Sequence, residues 1–186
     1  MFPTYFQLGF EHITDLNGYD HMLFLLALCA AYRYSEWKKI LVLVTAFTIG
    51  HSVTLALSVL NVIPVNSAWI EFLIPVTIFA TAAKNLLAKQ EKAATATYLM
   101  ALAFGLIHGM GFSNYLRSLL GDELLLPLFS FNIGIEIGQL LVVSIIFLIQ
   151  FALIKATNVK HQTWNRTVSL VAGGISLLLA AQRLPF

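Results

Sequence analysis

The sequence predicts an all-α fold, a polytopic bundle of transmembrane helices, and its bulk composition is the first reason. Hydrophobic residues make up 59% of the 186 residues, and charged residues only 11%. A soluble domain carries about 25% charged residues, so this chain lacks the polar surface that a water-facing shell requires. The second reason is a series of apolar runs long enough to cross a bilayer. We therefore expect residues 1–186 to form a single integral membrane domain with the lipid bilayer as its surroundings.

Six apolar runs are the candidate spans. They are Asp20–Tyr34, Ile40–Val62, Ala68–Leu87, Ala94–Tyr115, Leu125–Ile154 and Arg166–Ala181. The first run is short and the fifth is long, which predicts tilt or a break. The preceding stretch, Phe2–Tyr19, mixes aromatic and polar positions and contains the turn signal Asn17-Gly18. We expect a short helix there, at the outer membrane interface.

The loops between these runs alternate in charge, which predicts their orientation. Basic residues occupy loops one (Arg33, Lys38, Lys39), three (Lys84, Lys89, Lys92) and five (Lys155, Lys160, Arg166). Loop two has none, and loop four combines Arg117 with Asp122 and Glu123. Because basic residues accumulate in short cytoplasmic loops, the odd-numbered loops are predicted to be cytoplasmic and both termini to lie outside. The net charge of +2 is too small and dispersed to indicate a nucleic-acid partner.

Five groups of metal-ligand type interrupt the apolar runs. They are His21, His51, His108, Glu71 and Glu136. Each ionisable group in the hydrocarbon region costs about 2.5–3.5 kcal/mol on insertion scales, which makes a shared function more plausible than five accidents. In the predicted orientation none of them falls in the inner third of the bundle. The sequence therefore predicts a polar cavity that opens to the outside.

Several of these residues also have a purely structural interpretation. Asp20 is suited to capping the first long helix, and Glu71 to interacting with the dipole of its helix. His12 and Asp15 are interpreted equally well as solvated interfacial groups, and His51 as a buried histidine satisfied by its neighbours. His161 lies in a basic loop, where we expect it to be solvated.

A polar stripe surrounds the carboxylate of Glu136. Asn132, Glu136 and Gln139 follow each other at i, i+4 and i+7, which places them on one helix face. Gly134 and Gly138 lie on a different face, where small residues permit close helix packing within the bundle or between subunits. The glycine pair Gly105/Gly109 beside His108 has the same two interpretations, and the oligomeric state stays open.

Imidazole together with carboxylate favours a borderline divalent ion such as Zn, Ni, Co, Cu or Fe over Mg or Ca. Residues suited to orienting the ligands as a supporting shell are Glu71, Asn132, Gln139, Thr48 and Ser52. A metal-free proton relay along the same histidines and glutamates is the alternative. The only cysteine, Cys29, excludes a thiolate cluster and an internal disulfide.

At these residues the chain resembles the HupE/UreJ family of small bacterial membrane proteins. The resemblance covers Gly9-Phe10-Glu11-His12-Ile13, Gly18-Tyr19-Asp20-His21-Met22-Leu23-Phe24, Phe47-Thr48-Ile49-Gly50-His51-Ser52, Phe104-Gly105-Leu106-Ile107-His108-Gly109 and Phe131-Asn132-Ile133-Gly134-Ile135-Glu136. His12 is followed by Ile13, whereas the better-known branch of the family has a His-Pro pair, so the chain looks like a member of the second branch.

The resemblance implies a nickel or cobalt permease in the bacterial inner (cytoplasmic) membrane, associated with metal supply to hydrogenase or urease. It implies metal-binding roles for His12, Asp20, His21, His51 and His108, to which the polar stripe adds Glu136. We expect a divalent metal ion (Ni, Co or Zn) to be bound.

Two further functions stay open. The first is an intramembrane zinc-dependent hydrolase acting on a lipid or small amide, with Glu136 or Glu71 as general base toward a zinc-bound water. The second is a metal-stabilised assembly protein without turnover, which ranks last because the loops are too short to offer much surface to a partner. Metal transport is the leading prediction.

Overall fold

The computed structural model describes residues 1–87, 94–119 and 124–185, and these residues form helices and no strand. The helices are α1 (Phe2–Thr14), α2 (Tyr19–Ala30), α3 (Trp37–Val59), α4 (Ser67–Leu87), α5 (Ala94–Gly111), α6 (Ser113–Leu119), α7 (Leu125–Thr157) and α8 (His161–Gln182). Single 3-10 turns, Leu16–Gly18 and Tyr34–Glu36, lead into α2 and α3. The all-helical prediction is thus confirmed. The loop charges Lys89, Lys92, Asp122 and Glu123 lie outside the described residues.

Within the described part of the chain, three helices are long and apolar enough to cross a membrane. They are α3 with its preceding turn, α4 and α7, and the pair α5–α6 makes a fourth if it is counted as one bent span. The apolar helix α2 has 12 residues and is therefore about 18 Å long. The six spans and the outer position of both termini stay predictions.

The predicted fourth span is not one straight helix, because α5 ends at Gly111 and α6 begins at Ser113 after a bend of 50°. Glycine is a weak helix former, and Gly109 and Gly111 lie just before the bend. Phe112, at the corner, stacks on Phe131 of α7 with 5.2 Å between ring centroids. The long fifth run shows no break, since α7 continues for 33 residues until Asn158 takes a left-handed conformation at φ 54°.

Glycines bring α3 and α5 into backbone contact. A Cβ atom on Gly105 would overlap the carbonyl oxygen of Phe47, and one on Gly109 would overlap the carbonyl oxygen of His51. Thr54 adds a hydrogen bond from its hydroxyl to the carbonyl oxygen of Leu106, at 2.7 Å. The Gly105/Gly109 pair therefore serves packing within the bundle.

The N-terminal helix α1 packs along α7 through the same kind of glycine-mediated backbone contact. A Cβ atom on Gly9 would overlap the carbonyl oxygen of Phe131, and one on Gly134 would overlap the carbonyl oxygen of Phe6. A Cβ atom on Gly138 would lie 3.2 Å from the carbonyl oxygen of Phe10. As a result α1 is docked on the bundle, with Ile13 completely buried.

Candidate functional site

A cavity of about 1000 Å³ opens between α1, α2, α4, α5 and the end of α8. Among the described residues that line it are the carboxylates Glu11, Asp15, Asp20 and Glu71 and a single guanidinium, that of Arg183. An excess of carboxylates in a cleft raises the local concentration of cations. The cavity is therefore suited to a positively charged ligand.

Four imidazoles from four helices meet at this cavity. They belong to His12 of α1, His21 of α2, His51 of α3 and His108 of α5. The ring centroids of His21 lie 4.6 Å from His12 and 5.2 Å from His108. Those of His51 lie 5.9 Å from His12 and 6.1 Å from His21. His12, His21 and His108 line the cavity, whereas His51 is completely buried beside them.

Each imidazole has at least one buried nitrogen without a hydrogen-bond partner. These atoms are Nε2 of His12, Nε2 of His21, Nδ1 of His108 and both ring nitrogens of His51, and Oδ1 of Asp20 is in the same condition. Buried polar atoms are normally paired, and leaving one unpaired costs about 1–3 kcal/mol. The donor types are those that hold a borderline divalent ion, so the residues fit a metal in chemistry.

The atoms do not yet form a coordination shell. Among the described residues, no group of three or more His, Cys, Asp or Glu side chains is arranged to hold a metal ion. Binding of one ion by several imidazoles therefore requires some of the rings to turn about their side-chain torsions.

Thr77 of α4 determines which nitrogen of His108 is available. Its hydroxyl lies 2.7 Å from the carbonyl oxygen of Ile74 and 3.0 Å from Nε2 of His108. A hydroxyl has one proton, and a carbonyl only accepts, so Thr77 donates to Ile74 and accepts from the imidazole. This assigns the ring proton of His108 to Nε2 and leaves the lone pair on the unpartnered Nδ1. Nothing in the sequence distinguished Thr77 from Thr81, the other threonine of α4.

His12 is in the form that binds metals. Its helix, α1, is not among the candidate spans. Burial, reinforced by the three neighbouring imidazoles, lowers the pKa of His12 well below its ordinary value of 6.5. The imidazole is therefore neutral at pH 7, as a ligand must be.

Arg183 forms an ion pair with the candidate ligand Asp20. Its Nη1 lies 2.9 Å from Oδ2 of Asp20, and the side chains are 26% and 17% exposed. Sequence reasoning placed Asp20 in the site but missed Arg183, whose only signal was its isolation as a basic residue near the C-terminus.

Glu71, one turn into α4, is exposed on the cavity wall.

Two residues of the polar stripe on α7, Glu136 and Gln139, accept hydrogen bonds from α3. Thr45 donates to Oε1 of Glu136 at 2.7 Å, and Thr48 donates to Oε1 of Gln139 at 2.6 Å. Glu136 is not among the described residues that line the cavity, although its Oε2 is buried without a partner. The metal-binding role of Glu136 stays a prediction.

The other residues expected to support the ligands bond within their own helices. Ser52 donates to the carbonyl oxygen of Thr48, and Asn132 donates to that of Leu128. Their role in orienting metal ligands also stays a prediction.

The comparisons with known proteins agree with the motifs in the sequence. No curated protein and no solved structure shows significant similarity to this chain. A family model described as HupE / UreJ protein matches residues 1–183. Because this match extends over nearly the whole chain, from the α1 histidine to the C-terminal arginine, the chain belongs to the HupE/UreJ family.

Proposed function

We propose that the protein is a membrane permease for a divalent transition metal of the nickel or cobalt type, with its binding site open to the outer side. The observation that carries this proposal is the meeting of four imidazoles, each with an unpartnered buried nitrogen, at a cavity lined by carboxylates. Membership of a family generally associated with nickel and cobalt transport supports it. The same donor set also accommodates zinc.

The residues divide the work of capturing the ion. The carboxylates Glu11, Asp15 and Glu71 attract the cation into the cavity. His12, His21, His51 and His108 hold it together with Asp20, after the rings of His12, His21 and His51 turn toward the imidazole of His108, which Thr77 holds in place. Glu136, with its unpartnered Oε2, supplies a further carboxylate ligand, reached when the ion moves inward along α3 and α7.

The proposed topology has six spans and both termini outside, in a bacterial inner membrane. Two cavities support it. One contains Arg33, Lys160 and Arg166 from the loops predicted to be cytoplasmic, and the other contains His12 and Arg183 from opposite ends of the chain. Cations of the first and fifth loops thus lie at one cavity, and the cavity at the four histidines has a different lining altogether.

Metal binding by the purified protein is the first test. We expect protein dialysed against a mild chelator to regain about one equivalent of Ni²⁺ or Co²⁺, measured by mass spectrometry of the metal. His51→Ala and His108→Ala should each weaken binding by at least about tenfold, since a lost ligand or its support typically costs 10–100-fold. Ser176→Ala is the control, because among the described residues this buried hydroxyl bonds only within α8, to the carbonyl oxygen of Gly173. Equal binding in all four proteins would overturn the proposal.

Transport is tested in vesicles containing the protein. Uptake of labelled nickel should require the protein and should be lost in His51→Ala. A conservative His51→Gln variant with an unchanged melting temperature separates a lost ligand from a lost fold. Binding without uptake would reject the permease and retain only the metal site.

Hydrolysis is the second candidate, and one observation favours it. Glu71 lines the same cavity as His21 and His108, where a general base would have to lie. Tightly held zinc that survives dialysis, together with turnover of a lipid amide that Glu71→Gln abolishes, would support a hydrolase. Absence of turnover across a panel of lipid amides by the zinc-loaded protein would exclude this candidate for those substrates.

A further inference from the structure

A second cavity, of about 840 Å³, lies where α8 begins and α4 and α7 end. The described residues that line it include three cations, Arg33, Lys160 and Arg166, and no carboxylate. This arrangement has the opposite charge to the carboxylate-lined cavity at the four histidines, and it suits an anion.

The positive charge of this cavity is not neutralised by the carboxylate beside it. Among the described residues, Arg33, Lys160 and Arg166 form no ion pair. The neighbouring Glu36 is engaged elsewhere, by Lys39 Nζ at 2.7 Å and by the backbone N–H of Arg33 at 3.1 Å. The cations are therefore available to a ligand from solution or from the membrane.

Hydrogen-bond donors at the start of α8 strengthen this preference. His161, which was expected to be solvated, is half-buried on the cavity wall, and its Nε2 is buried without a hydrogen-bond partner. The helix begins there without a side-chain cap on Lys160. Its first N–H groups and the positive end of its dipole thus add to the charge of the lining cations.

The cavity has a preformed wall. Gln150, completely buried, accepts the backbone N–H of Tyr34 and donates to the carbonyl oxygen of Tyr32, both at 3.0 Å. Asn85 donates to the carbonyl oxygen of Ala27 at 2.7 Å. These bonds connect α4 and α7 to the end of α2, so a ligand does not have to order the site.

Apolar side chains complete the lining. Leu86, Leu87, Ile154 and Val159 lie on the same cavity as the cations. A free inorganic anion gains nothing from such a surface, whereas a phospholipid brings a phosphate and a glycerol with acyl chains to the two kinds of lining. Basic pockets between helices at the cytoplasmic side are suited to anionic headgroups. We propose that this cavity binds the phosphate group of an anionic phospholipid.

The test compares two variants with the same loss of charge. In Lys160→Gln/Arg166→Gln both residues line the cavity, and in the control Lys38→Gln/Lys155→Gln both lie outside its described lining, with their ammonium groups over Trp37 and Phe151. The full-length protein is purified in a neutral detergent. Native mass spectrometry then counts bound phosphatidylglycerol, with phosphatidylcholine and inorganic phosphate as comparison probes.

We expect wild type and the control variant to retain phosphatidylglycerol in preference to phosphatidylcholine. The cavity variant should bind phosphatidylglycerol roughly tenfold or more weakly, since each basic group near anionic lipid contributes about 1 kcal/mol. Equal loss in both variants would overturn the proposal, because it would show a general effect of charge. Displacement of the lipid by millimolar inorganic phosphate would also overturn it, by assigning the cavity to the free anion.

Discussion

Thr77 Oγ1 of α4 lies 3.0 Å from Nε2 of His108 on α5, and this contact fixes the imidazole in one orientation and one tautomer. A ligand held in this way loses less freedom when it binds an ion, and support of this kind is typically worth 10–100-fold in metal affinity.

We therefore expect Thr77→Val to weaken Co²⁺ binding by about 10–100-fold, because the ring of His108 loses its acceptor. Thr77→Ser retains the hydroxyl and should bind like wild type. The visible absorption of bound Co²⁺ measures both affinity and geometry. Unchanged affinity in Thr77→Val would show that His108 does not depend on this hydrogen bond.

The ion pair between Arg183 and Asp20 predicts a gain of affinity. Removing the guanidinium in Arg183→Gln frees the carboxylate for the incoming ion and should raise Co²⁺ affinity by up to about fivefold, which is what a partly exposed ion pair is worth. In an Asp20→Asn background the same change should have no effect. Calorimetric titration of wild type, the two single variants and the double variant with Co²⁺ gives the coupling energy between Arg183 and Asp20. An equal gain of affinity in both backgrounds would show that Arg183 acts through overall charge.

The glycine contacts predict a loss of stability. Gly105→Ala places a methyl group on the backbone of α3 and should lower the free energy of unfolding by about 1–3 kcal/mol. Gly134→Ala should do the same at the contact of α1 with α7. Gly174→Ala is the matched control, because among the described residues no atom beyond the neighbouring part of its own helix lies within 4 Å of the added Cβ. Thermal unfolding in detergent ranks the three variants, and equal melting temperatures would contradict the close contacts.

From the position of Glu136 outside the cavity lining, we expect its substitution to affect metal transport without affecting metal binding. Because it does not line the cavity, Glu136→Gln should leave the Co²⁺ dissociation constant within about twofold while strongly reducing nickel uptake. Ser144→Ala on the same helix is the control, since in the described part of the chain its hydroxyl bonds only to the carbonyl oxygen of Leu140. A large loss of binding in Glu136→Gln would instead make this residue a ligand of the cavity itself.

The histidine cluster could be predicted from the sequence, because the depth of a residue in a membrane follows directly from its position along a span. His21, His51 and His108 were expected to lie in one layer outside the inner third of the bundle, and the structure brings their rings together with that of His12. Residue type and depth together were sufficient for this step.

The rotation of each helix about its axis could not be predicted from the sequence, and Glu136 shows why. Periodicity places it on one face of α7, but only the docking of α1 on Gly134 and Gly138 determines what that face meets. With the glycines turned to α1, Glu136 is directed toward Thr45 of α3. Thr77 escaped notice for a related reason, since a threonine in an apolar helix usually bonds within its own helix.

The backbone contacts of the glycines divide the imidazoles between two stiff units. His51 and His108 belong to the pair formed by α3 and α5, whereas His12 belongs to the pair formed by α1 and α7. An ion held by all three therefore acts as a removable cross-link between these pairs. Any change in the angle between them would alter the distances from the ion to its ligands, so the proposed permease would couple capture and release of the ion to the relative movement of the two pairs.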